Sequence, residues 1–386
     1  MSLRSACALM AGPALLFLST VPAAGIEAEA VADAIGAALT KGSRAQATYE
    51  SAVLDGGNVV IKGLTFTGTT SGESVRFAEA VVESPAEGGD GLFHSPRVTF
   101  VDGTAMGEPS GSIASVTATE VTVLDPAEVR GEGFAEAILY RSAEIRDVHV
   151  SRDAEPRELA VERIAIEFGD APGEGPRDVS GTVEGLTVSP DIFEHRRLAV
   201  LARARLRLEE LGYDKLVFDV GWDGSWDKAA GTMTVRNSSF GFRDNATLSI
   251  SGMVGNLPDP RVLNDADVVA QVAKLQFYGL IARYEENSLL GRIFDLMADE
   301  QEVSRAEYVE QLSQALPFLL ASLTHAAFRD QLIAALRTFF QDPRSLTLTI
   351  DPESPISGNE IIGIAGSELG TLPDRLKASV SANAPE

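Results

Sequence analysis

The chain has 386 residues, a formal net charge of −24 and 45% hydrophobic residues, with one Cys and four His. That hydrophobic share supports a core and excludes wholesale disorder. A single Cys excludes a disulfide framework or a Cys-based zinc site, and the acidity speaks against nucleic acid, whose phosphates need a basic surface.

Arg4 is the sole charge in the first 26 residues, and an apolar run follows from Ala6 to Leu18. Val21 and Ala23 fit the small-residue rule for cleavage after Ala23, so residues 1–23 read as a secretory signal peptide. An uncleaved N-terminal anchor in the inner membrane is the alternative, against which the run is short and broken by Gly12-Pro13. Cleavage removes Cys7, and a Cys-free exported chain suggests a bacterial periplasm.

Residues 26–41 predict a short helix, with Ile26, Val31, Ile35 and Leu39 at near-helical spacing. From there to 256 the pattern is strand. Asp55-Gly56-Gly57-Asn58 predicts a hairpin turn between Ala45–Leu54 and Val59–Phe66. A phrase then recurs: Gly63-Leu64-Thr65-Phe66, Glu120-Val121-Thr122-Val123, Asp147-Val148-His149-Val150, Arg163-Ile164-Ala165-Ile166 and Gly185-Leu186-Thr187-Val188. Each reads as period-two alternation with one face buried. Their uneven spacing argues for a repeated strand type and not a repeat array. Residues 198–256 predict an antiparallel meander: Leu198–Leu208, Leu216–Trp222, a turn at Asp223-Gly224-Ser225, Gly231–Arg236, Ser239–Phe242, a turn at Asp244-Asn245, and Ala246–Val254.

A domain boundary is expected at Asn256–Pro260. Leu275–Tyr284 predicts a further strand, after which helices dominate. Asn287 or Ser288 caps a helix reaching Ala298. Ser304 and Glu307 form a capping box for the next, which Pro317 should kink or divide. Ala326–Gln341 is a third, stopped by Asp342-Pro343. Ser345–Ile350 and Lys377–Ala382 predict strands, and Ser357-x-x-Glu360 opens a short helix. The expected class is α+β: a signal peptide over 1–23, a β-rich domain over 24–256 built on a largely antiparallel curved sheet or groove, and a mainly helical domain with a few strands over 257–386.

The sequence carries no nucleophile elbow, glycine-rich phosphate loop or paired-His zinc motif. His94, His149, His195 and His325 form no ligand spacing, so no metal, cofactor or catalytic residue is assigned. Asp219, Asp223 and Asp227 flank Trp222 and Trp226. A sugar-binding aromatic patch or a weak Ca²⁺ loop is conceivable there, but turns select Asp and Gly for ordinary reasons and the calcium spacing is wrong. Phe318-Leu319-Leu320, Phe328, Leu332-Ile333 and Phe339-Phe340 could form a lid or membrane-facing patch. A helix core is preferred for them, because helices bury such stripes by default.

Val60-x-x-Gly63-Leu64-x-Phe66 and its sister phrases, over about residues 44–190, resemble AsmA-like bacterial envelope proteins. That resemblance implies an exported or anchored β-rich protein whose sheets curl into an apolar groove for lipid. Phe339-Phe340-x-Asp342-Pro343-x-Ser345-Leu346-Thr347, with Pro355 and Leu376-Lys377-Ala378-Ser379-Val380, resembles uncharacterised exported alphaproteobacterial proteins, which implies no activity. The expectation is a non-catalytic periplasmic protein binding a lipid or other apolar ligand in a sheet groove. The alternatives are a structural or protein-interaction factor of the envelope, with envelope proteins as partners, and a hydrolase with an unrecognised carboxylate site.

Overall fold

The computed structural model describes residues 27–69, 72–88, 91–107, 109–125, 137–152, 155–169, 177–189, 208–227, 229–257, 273–367 and 371–385. The expected signal peptide and the strand expected at Leu198–Leu208 lie outside them, except for Leu208. The fold is strand-rich and antiparallel, with most helices in the C-terminal part. The chain divides into two compact units, residues 1–171 with 180–192, and residues 172–179 with 193–386. The expected break after residue 256 does not coincide with this division, because strands on either side of it pair within the second unit.

The first unit opens with helix α1 (Ala28–Thr40), which buries Val31, Ala32, Ile35 and Ala38. An interrupted edge strand, β1 (Ala45–Thr48) and β2 (Ser51–Asp55), pairs along β3 (Asn58–Gly68). The Asp55–Asn58 turn forms as expected, with Gly56 and Gly57 both at positive φ. Beyond β3 come β4 (Ser74–Glu83), β6 (Gly91–Met106), β7 (Ser110–Val123), β9 (Ser142–Arg152) and β10 (Glu155–Phe168), each antiparallel to its neighbour. Short strands β5 (Ala86–Gly88) and β8 (Ile138–Leu139) extend the pairing on β6 and β7. Helix α1 packs against β1, β2, β3 and also β7.

Four of the five recurring phrases open on a left-handed residue, at Gly63, Glu120, Asp147 and Gly185, with Arg163 the exception. Gly63, Asp102, Asp147 and Gly185 all lie in the left-handed region, at φ of 63°, 53°, 50° and 62°. Gly63 is level with Ala78, Asp102 with Ala78 and Ala114, and Asp147 with Ala114 and Glu162, all skipped by the strand ladders without a change of register. Gly185 on β11 (Arg177–Val188) sits under the Glu162 side chain. One band of irregular backbone therefore crosses the sheet. It shifts the inward parity, so buried positions step by three there: Ile61 to Leu64 on β3, Phe77 to Ala80 on β4. A strict period of two would turn the apolar side chains to the other face beyond this point. Phe77 and Phe100, from opposite sides of the band, pack with ring centroids 5.3 Å apart, so the apolar face is continuous.

The second unit is a sheet of β12 (Leu216–Asp227), β13 (Thr232–Phe242), β14 (Ala246–Gly255), β15 (Gln276–Glu286), β16 (Ser345–Ile350) and β18 (Ser379–Ala382), antiparallel in that order. β17 (Ile356–Ser357) also pairs with β15. Two sequence expectations are corrected. Asp223-Gly224-Ser225 is not a turn but lies inside β12, and Gly231–Arg236 and Ser239–Phe242 belong to one strand. The cause is a bulge: β12 pairs Asp223 with Asn237 and then Gly224 with Val235, leaving Arg236 as the extra residue.

Helices α2 (Leu289–Glu300), α3 (Arg305–Leu319) and α4 (Ala326–Gln341) follow β15. Phe339 of α4 meets Tyr284 of β15 edge-on at 5.9 Å, and α4 also packs on β16 and β18. The Ser304–Glu307 capping box is present in both directions. Pro317 sits two residues before the end of α3, which stops at Leu319 instead of dividing. Ser288 does not cap α2 through its side chain. Its hydroxyl donates to the Asp244 carbonyl, and Glu286 accepts the Leu290 N–H in its place. Helices α5 (Gly358–Ser367) and α6 (Leu372–Arg375) precede β18, with Ser357 accepting the Glu360 N–H as its sequence position suggests.

Candidate functional site

Register assigns the faces of the second sheet. Val220, Phe240, Leu248, Tyr284 and Leu346 stand directly opposite one another across five strands. Trp222, Ile250, Ala282, Leu348 and Val380 lie two positions along on the same side, in a row whose β13 member is Ser238. This is one apolar face. The reverse face carries Asp219, Ser239, Ser249, Arg283, Thr347 and Ser381.

Helical cover over the apolar face is uneven. Val380 is buried, and Tyr284 lies under Phe339. Towards β12–β14 the cover ends. Phe240 is 49% exposed and Leu248 39%, while Val220 and Trp222 are half-buried. Phe218 stacks on Phe240 with centroids 5.3 Å apart and also touches Phe242, which packs against Tyr213. The result is an open aromatic and aliphatic strip across three strands.

The three aspartates singled out in the sequence are each held by neighbouring groups. Asp219 binds Arg243 at 2.7 Å. Asp223 binds Arg236, which also holds Asp178, and these hydrogen bonds from Arg236 keep the Asp223 carboxyl below its ordinary range. Asp227 accepts the Ala230 N–H. These acids lie on the polar face and Trp222 and Trp226 on the other, as alternation along β12 requires, so the Asp/Trp cluster of the sequence is not assembled in space. In the first unit Glu144 receives Arg146 and Arg163, and Arg163 also reaches Glu184. Burial raises the Glu144 carboxyl, but those two guanidinium groups outweigh it and the net shift is downward.

The three described histidines stand apart. His149 is exposed on β9. His94 lies within β6 and bonds Thr122. His325 caps α4 by accepting the Phe328 N–H and faces Asp374 at 2.9 Å. His195 lies outside the described residues. Among the described residues no group of three or more His, Cys, Asp and Glu side chains is placed to hold a metal ion, and no helix is long and apolar enough to cross a membrane.

The helical cluster divides. Ile333 and Phe339 are buried, and Phe340 packs against Phe294 and Phe339, as a core requires. Phe318 and Leu319 do not follow: they are 84% and 57% exposed. Pro317 was the available signal, since a helix that ends just after it has no further turn to shelter the residues that follow. The strip at Phe240 and Leu248 had no such signal, because strand alternation is the same whether or not a helix lies above it.

The profile of a family described only as an uncharacterized protein matches residues 239–383, within the second unit. No curated protein matches the chain.

Proposed function

We propose that the protein is a non-catalytic binding protein of the bacterial envelope, exported to the periplasm, that holds a lipid or another apolar ligand against a curved sheet groove. The open strip of Val220, Trp222, Phe240 and Leu248 carries this reading. An acyl chain laid on it would remove apolar surface from water at about 25 cal/mol per Å², with no pocket closure needed. Support for export comes from the leader-like first 23 residues. The resemblance to AsmA-like proteins also supports a groove.

The test is mass spectrometry of lipid extracted from residues 24–386 purified from periplasm without detergent. A stoichiometric apolar molecule is expected, and its amount should fall severalfold in the Phe240→Ser/Leu248→Ser double variant. A protein that stays ligand-free after incubation with envelope lipids overturns the reading and favours an envelope interaction factor. That alternative would show as a discrete crosslinked partner.

A further inference from the structure

We propose that the C-terminal tip of α3 docks the protein onto the surface of an anionic lipid bilayer. The inference concerns other residues than the sheet strip and stands whether or not that strip holds a ligand. Phe318 is the most exposed large apolar side chain among the described residues, and Leu319 follows it directly. They sit on the last turn of α3, shortly before the chain enters α4.

Beside them lies an open depression of about 530 Å³ whose apolar lining is Pro317, Ala321, Ile333 and Ala334. Its charged members are Arg329, Arg337 and Asp330. Arg337 donates to the Ser313 carbonyl and Arg329 to that of Leu323, so both guanidinium groups are anchored at the rim, and Arg329 lies 3.7 Å from Asp330. The local balance is two cations to one anion, in a chain with 32 basic to 56 acidic residues.

This local reversal of sign beside the two most exposed apolar neighbours on a helix end fits an interface where acyl chains meet anionic headgroups. Arginine suits that level, with its stem in apolar surroundings and its head at the phosphates. A bilayer also needs no matching pocket for Phe318 and Leu319, whereas a folded partner would. The repulsion between the acidic body and the membrane is screened beyond roughly 8 Å at physiological salt, so it does not reach far past the contact.

The test is flotation of the mature chain with vesicles of phosphatidylethanolamine and phosphatidylglycerol, and with vesicles of phosphatidylcholine alone. Binding to the anionic vesicles is expected, weakening as salt rises. It should fall about tenfold or more in Phe318→Ser/Leu319→Ser, since each side chain loses its apolar transfer. Arg337→Gln should weaken it severalfold. Phe318 and Leu319 are exposed, so the double variant should keep the circular dichroism and melting of the parent, which separates lost docking from lost folding. Three results would overturn the proposal: no flotation of the parent chain, equal flotation of the double variant, or equal binding to phosphatidylcholine alone. A self-association that the double variant abolishes, without vesicle binding, would assign the tip to a second copy of the chain instead.

Discussion

Asn245 is buried between β13 and β14, where it gathers bonds from three segments of the second unit. Its side-chain oxygen accepts from the Tyr213 hydroxyl and lies 3.1 Å from that of Ser288, and its amide donates to the Arg243 carbonyl. Its backbone carbonyl accepts the N–H groups of Asn287, Ser288 and Leu289, which enter α2. Arg292 of α2 then lies over the Tyr213 ring at 5.0 Å. Removing the carboxamide strands buried partners, at about 1–3 kcal/mol for each group left unsatisfied. Asn245→Ala is therefore expected to lose about 2–4 kcal/mol in urea unfolding, whereas Asn58→Ala, which removes an exposed bond to the Ser84 N–H, should cost under about 1 kcal/mol. Equal losses would show that the Asn245 network is not what joins α2 to the sheet. Nothing in the Asp244-Asn245 dipeptide distinguishes it from an ordinary turn in sequence; the partners come from residues 32 and 43 positions away.

At the scale of elements, the band of left-handed residues decides how the first sheet keeps one apolar face. Glu50 lies across Gly63 to reach Arg76 at 2.8 Å, and a Cβ on Gly63 would meet its side chain at 2.5 Å. Gly63→Ala should cost about 1–2 kcal/mol from the left-handed backbone alone. Asp102 has the same backbone sign with a side chain already in place, so Asp102→Gly should be neutral or stabilising by up to about 1 kcal/mol. Thermal melts of the pair check the asymmetry; a destabilised Asp102→Gly would show that its side chain, not its backbone, matters. Much at this scale was legible: α4 and β16 have the bounds their sequence pattern gives, because capping, a Pro stop and strict alternation are local signals. The bulge at Arg236 and the band were not, since a parity shift is defined only against the neighbouring strand.

For the whole molecule, pH dependence follows from opposite shifts at two ends of the scale. The hydrogen bonds of Arg236 lower Asp223, and the Ser304 backbone N–H followed by its hydroxyl lowers Glu307. Glu144 is lowered as well, the arginines overcoming its burial. A carboxylate depressed in the folded state stabilises above its unfolded value, near pH 4, and loses that contribution as pH falls through the folded value. Burial raises the Tyr140 phenol to about 12, and it also raises Tyr284 and Tyr213. These groups stabilise fully below the unfolded value near pH 10 and lose that as pH rises through the folded one. Urea midpoints are expected to fall below about pH 4 and above about pH 10. An acid limb unchanged in Arg236→Gln would remove Asp223 from that account.

By itself the sequence determined the strand-rich antiparallel class, the C-terminal helices, most caps and turns, and the acidic surface. Each of these depends on neighbours within a few residues or on composition. Tertiary structure decided the rest. It separated Asp219, Asp223 and Asp227 from Trp222 and Trp226 by placing them on opposite faces of one strand. It left Phe240 and Leu248 open where helical cover stops, and Phe318 and Leu319 outside the core that Ile333 and Phe339 join. Whether an apolar side chain is buried depends on what lies above it, and that partner is set by contacts between residues far apart in the chain.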